Sequence, residues 1–164
     1  MNAMTSHSSR ALAVALIAAP VVWVVTELIS PAMKASPKQQ LEIIAGDPDR
    51  WDLTMALVVI GIGLWVPASL AIWRVARASS PKLATIGACL SVYGATVAAG
   101  DGMNQLNASR MVGAGVDQVQ MVALLERLDS SPVIGFFYMT SGLSFLVGSI
   151  LLGVALYRTA DVPR

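Results

Sequence analysis

The sequence predicts an all-α membrane protein, a four-transmembrane-helix bundle with two short amphipathic helices in its outer connections. Three observations predict it. The 164 residues are 55% hydrophobic and only 13% charged, with a mean hydropathy of +0.67, whereas ordinary soluble domains carry roughly 25% charged residues. Four apolar stretches, at residues 11–29, 53–73, 83–99 and 133–157, each approach the ~20 residues that span ~30 Å of hydrocarbon. Between the first and second, and between the third and fourth, shorter segments show apolar residues at helical rather than membrane-spanning spacing. A chain of this length reads as one integral membrane domain, residues 1–164,.

Helix one lies between Arg10 and Ser30. Its 19-residue, largely apolar stretch exceeds the h-region of a secretory signal, and Lys34 spoils the cleavage site that would follow, so it is read as a membrane helix,. The first outer connection opens on Ser36-Pro37-Lys38-Gln39, an N-cap serine, a proline at the first helical position and a capping-box glutamine. A short helix is expected through about Ala45, with Leu41, Ile44 and Ala45 on one face. Helix two contains Gly61, Gly63 and Pro67, and the proline frees a backbone carbonyl and kinks the helix.

The connection between helices two and three is short and purely basic, with Arg74, Arg77 and Lys82. Lys and Arg near helix ends favour the cytoplasmic side. A model with both termini in the cytoplasm puts Arg10, Arg158 and Arg164 there too, so the expected location is the plasma membrane, multi-pass. Lys34, Lys38, Arg50, Arg110 and Arg127 then lie outside. Trp51, Trp73 and Tyr157 are expected at the interfaces, where amphipathic rings collect,. Residues 104–115 are polar and glycine-rich and read as an irregular, mobile connection. Beyond them Met121, Leu124, Leu125 and Leu128 recur at helical spacing, marking the second amphipathic helix.

An offset of 84 residues brings Glu42 onto Glu126, Pro48 onto Pro132, and Trp73-Arg74 onto Tyr157-Arg158. Two readings fit: a tandem repeat of helix, amphipathic helix, helix, of the parallel kind found in membrane proteins, or two unrelated membrane hairpins that share interface prolines and a terminal aromatic-Arg pair.

In lipid, helices associate through close backbone approach at small residues. On helix three Gly87, Ser91, Ala95 and Ala99 form a small stripe, and on helix four Gly135, Gly142, Ser149 and Gly153 do so; these are the expected packing seams. Tyr138, Thr140, Ser141 and Ser144 make one end of helix four polar, as interhelical hydrogen bonding requires.

Chemistry is sparsely represented. Cys89 is the only cysteine and His7 the only histidine, which excludes a disulfide within the chain, a Cys-based zinc site and bis-histidine haem ligation. No nucleophile-and-base set, phosphate-binding loop or metal motif occurs,. A net charge of +1 with no concentrated basic patch excludes a nucleic-acid surface,. The polar candidates are Glu27 and Asp101, near the outer ends of helices one and three, with Asn104, Gln105 and Asn107 beyond. Two readings stand: interfacial carboxylates and an ordinary helix terminus, each with its own local partners, or a polar outer vestibule with oxygen ligands for a cation, in which a bound cation or Arg110 relieves the carboxylate repulsion.

The strings Thr26-Glu27-Leu28, Asp47-Pro48-Asp49-Arg50-Trp51, Pro81-Lys82-Leu83-Ala84 and Leu156-Tyr157-Arg158 resemble an uncharacterised family of small bacterial integral membrane proteins, a domain-of-unknown-function group. That resemblance implies membrane residence in a bacterium and no particular activity. The expected role is non-enzymatic, accessory, scaffolding or small-ligand-binding, with no cofactor. Partners are membrane lipid and a second copy or other membrane subunits, not nucleic acid. The rival roles are a proton- or cation-coupled transport element using Glu27 and Asp101, and an enzyme subunit binding a lipid or quinone.

Overall fold

A computed structural model describes residues 3–30, 36–113 and 116–160; Lys34 and Arg164, used in the orientation reading, lie outside them. Among the described residues there are six helices and no strand: α1 (Ala3–Ile29), α2 (Pro37–Gly46), α3 (Pro48–Ala76), α4 (Pro81–Gly113), α5 (Gln118–Asp129) and α6 (Pro132–Ala160). Helices α1, α3, α4 and α6 are long and apolar enough to cross a membrane. Their outer faces are apolar, as lipid-facing surfaces are. Ile17, Leu28, Val133, Phe136, Met139 and Leu143 are all 60% or more exposed, an apolar surface that water would not tolerate over such an area.

Helix starts follow local chemistry. Pro37, Pro48, Pro81 and Pro132 each open a helix, where a missing N–H costs nothing. Ser36 and Gln39 close a reciprocal capping box on α2, and the Asp47 carboxylate accepts from the Arg50 N–H at the start of α3. At the far end of α1, Arg50 Nε donates to the Ile29 carbonyl (2.9 Å), satisfying one of the acceptors that every helix C-terminus leaves free.

The bundle is built by α1 packing on α3, α3 on α4, and α4 on α6, with α3 also touching α6. Helices α2 and α5 sit together at one end, here the capped end; the four-residue turn between α3 and α4 lies at the opposite end. Each half therefore runs long helix, short helix, long helix, and α3 and α6 have the same length, 29 residues, with both boundaries offset by the 84 positions read in the sequence.

Two expectations are corrected here. The polar stretch from Asn104 is not an irregular connection: α4 continues through it to Gly113, 33 residues in all. Its Leu106, Ala108 and Val112 pack against a core of Leu41, Ile44, Trp51, Met55 and Met121, so burial of one face supplies the stability that composition alone does not. Trp51 is likewise not an interfacial ring. It is 2% exposed at the centre of that core, its indole N–H donating to the Gln105 carbonyl (3.3 Å). The largest fully buried side chains among the described residues, Trp51, Leu41, Ile44 and Met55, thus gather at the capped end, while the membrane-spanning seams are made mostly of alanine, serine and glycine. Leu41 and Ile44 of α2 face this core as expected, but Ala45 is exposed.

Candidate functional site

The seam between α4 and α6 fixes which side chains meet at the capped end. A β-carbon added at Gly87 would lie 3.0 Å from the Gly148 carbonyl oxygen; one at Gly94 would lie 2.7 Å from the Ser141 carbonyl oxygen. The Ser141 hydroxyl donates to the Gly94 carbonyl (2.9 Å), and Tyr93 and Thr140 share a hydrogen bond of 3.3 Å. On the other flank of α4, Ser91 bonds Ser69 of α3 (2.8 Å), both hydroxyls buried. Gly87, Ser91 and Ala95 are buried and Ala99 is half-buried. The column on α6 differs from the expected one. Gly135, Gly142 and Gly153 have open space where a side chain would go, and Ser149 is half-buried; the contact runs instead along Ser141, Gly148 and Ala155, one position earlier. Both columns repeat every seven residues, so spacing alone does not choose between them.

Antiparallel register then carries the seam outward from Gly94 and Ser141 to Asp101 and Tyr138. The Tyr138 hydroxyl donates to Asp101 Oδ1 at 2.5 Å. Here α4, α6 and α5 diverge around a cavity of about 590 Å³. One wall is polar: Asp101, Asn104, Gln105 and Asn107 of α4 line it, joined by Gln40, Asp129 and Tyr138. The other is apolar: Met121, Leu124, Leu125 and Leu128 of α5, with Ile134 and Phe137 of α6. Among the described residues no lysine, arginine or histidine lines it. Gln40 donates to Gln105 Oε1 across the rim, tying α2 to α4 at the edge of the opening.

Four of the five vestibule residues come together in this way. Glu27 does not: it is exposed on α1, which packs on α3, and it is absent from the cavity wall. The two carboxylates expected to share a vestibule are separated because Asp101 faces α6. Arg110 is also engaged elsewhere, its guanidinium 2.9 Å from Asp52 Oδ2 on α3. No protein-family model, curated protein or solved structure matches this chain. Among the described residues no group of three or more His, Cys, Asp or Glu side chains stands together; the cavity wall presents carboxylate and amide oxygens as hydrogen-bond acceptors.

Sequence reasoning missed Asp52, Gln40 and Asp129 as partners in this region. A usable signal existed for the pairing of Asp101 with Tyr138. That signal is partial: with Gly94 opposite Ser141, seven residues forward on α4 and three back on α6 differ by about 6 Å along the axis, a gap the long Tyr138 side chain spans to reach Asp101. The leucines of α5 were found correctly as one face, and that face is the apolar wall.

Proposed function

We propose that this chain is a non-enzymatic, multi-pass plasma-membrane protein that captures a small amphipathic ligand with a positively charged head in the capped-end cavity. The observation that carries this reading is the two-sided wall: the Asp101 carboxylate and three amides on α4 facing leucines on α5, with no basic side chain lining it among the described residues. A cavity of about 590 Å³ is within the range of ~300–1,000 Å³ usual for small-molecule sites. Tyr138 fixes one oxygen of Asp101, which holds the carboxylate in place without neutralising it. The apolar body of a ligand reaches such a site laterally from the outer leaflet, since α5 rests lightly on α6. The basic turn at the opposite end supports a cytoplasmic location for both termini and an external one for the cavity.

A transport element shared by Glu27 and Asp101 has less support, because the two residues line no common space. A shape-matched pair of probes tests the binding reading. Tetraphenylphosphonium and tetraphenylborate have the same form and opposite charge. Equilibrium dialysis with the detergent-solubilised protein is expected to show saturable binding of the phosphonium. Asp101→Asn should weaken it about tenfold, ~1.4 kcal/mol. Equal retention of both ions, or an unchanged affinity in Asp101→Asn, refutes it.

A further inference from the structure

The opposite end of the bundle carries a second site, unconnected with the cavity. A shallow apolar groove of about 390 Å³ runs between α1 and α3, lined by Ala11, Leu12, Val14, Leu64 and Pro67, with Arg74 at its mouth. Small side chains and a proline leave the two helix surfaces recessed there. Ala15 and Ala68 pack in one cluster and so mark a common level. Arg10 lies five residues before Ala15 and Arg74 six residues after Ala68 in antiparallel helices. At 1.5 Å per residue both cations therefore sit about 7–9 Å beyond that level, on the same side. Both are exposed, and neither makes a hydrogen bond or ion pair among the described residues.

The remaining charge strengthens the contrast. Every acidic residue among the described ones lies at the capped end, whereas the opposite end holds Arg10, Arg74, Arg77, Lys82 and Arg158 with no acid among its described residues. Arg77 is stacked on the Trp73 ring, 4.7 Å from its centroid. Arg74 lines the apolar groove, and Arg10 lies at a similar level, one residue before the first lining position of α1.

We infer that this groove binds one anionic phospholipid, its phosphate between Arg10 and Arg74 and an acyl chain along Leu12, Val14, Leu64 and Pro67. Charge complementarity selects the head, and the groove selects a tethered chain. Basic side chains near a membrane surface attract anionic lipid individually; two flanking one groove convert that attraction into a site.

The test uses purified protein in neutral detergent, with lipid adducts counted by native mass spectrometry and thermal unfolding measured in parallel. Three probes with matched chemistry are added: dioleoyl phosphatidylglycerol, dioleoyl phosphatidylcholine and soluble glycerol phosphate. One retained phosphatidylglycerol and a raised unfolding temperature are expected, with little effect of the other two. Arg10→Gln and Arg74→Gln should each weaken retention about fivefold, and the double variant about thirtyfold. Arg77→Gln with Lys82→Gln should leave it unchanged. Each altered side chain is exposed, so the unliganded variants should unfold at the parental temperature, which checks that the fold is intact. Equal retention of phosphatidylcholine would show that charge does not select. Stabilisation by glycerol phosphate alone would show that the groove is not used. Equal loss in the Arg77/Lys82 variant would reduce the effect to diffuse charge. Any of the three overturns the proposal.

Discussion

Gly148 offers the sharpest test of how the membrane-spanning part is held together. A β-carbon there would lie 2.5 Å from the Ser91 nitrogen, 2.7 Å from the Gly87 carbonyl oxygen and 3.0 Å from the Leu90 carbonyl carbon. All three are backbone atoms of α4, so no side chain can swing aside. Restoring ordinary contact requires α6 to withdraw by about 1 Å at the crossing, and a gap of that size forfeits a quarter to a half of each facing contact. Overpacking of this kind typically costs ~1–3 kcal/mol. Alanine also gains ~0.5–1 kcal/mol over glycine inside a helix. Gly142 is the matched control: it lies on the same helix, and nothing stands within 4 Å of its added β-carbon. Gly142→Ala keeps the helix gain and meets no neighbour. The difference between the two variants therefore isolates the packing cost, expected at ~1–3 kcal/mol. Reversible unfolding in mixed detergent micelles measures it. Gly148→Ala should unfold earlier than the parent and Gly142→Ala at the same point or later. Equal stability of the two would refute the assigned seam and return the contact to the column through Gly142.

Trp51→Ala removes the largest side chain of the capped-end core and should lower stability by ~3–5 kcal/mol; the same unfolding assay checks it. Ser69→Ala and Ser91→Ala, singly and together, should show a coupling near ~0.6 kcal/mol, the average for hydrogen bonds between membrane helices; an additive pair would deny the bond. Arg110→Met should destabilise the capped end more than Asp52→Asn with Arg110→Met together. The single variant leaves a carboxylate unpaired whose Oδ1 is already buried without a partner, and the double variant removes that charge. Reporter fusions after Ala78 should report the cytoplasm and fusions after Ser130 the exterior; the reverse pattern would invert the orientation.

The four spans were legible because a bilayer demands long uninterrupted apolar runs, and residues 11–29 or 133–157 have little else to be. Helix caps were legible for a similar reason: Ser36 with Gln39 makes a local contract between side chain and backbone. What local pattern could not show was tertiary rescue. Gly100, Gly102 and the asparagines after them look like helix breakers, yet Gly102 is where Val59 of α3 approaches closest, 2.8 Å from an added β-carbon. Its presence marks a contact rather than an end. The α6 seam was illegible because two columns of small residues lie one position apart, a rotation of only 100°. The cavity was half legible: Asp101 with its amides stood out as polar residues at a membrane boundary. Gln40 and Asp129 did not, because they arrive from helices whose placement depends on the fold.

The capped-end core also bears on how the chain comes to be assembled. Leu41, Ile44, Trp51 and Met55 come from the first half, Ala108 and Met121 from the second. As the polypeptide is inserted in order, α1 to α3 arrive with an indole and several aliphatic groups unburied at the capped end. They stay unburied until α4 emerges far enough for Leu106 and Ala108 to reach them. The long overhang of α4 acts as a late latch: insertion of the second half completes the interior of the first, and neither repeat is finished without the other.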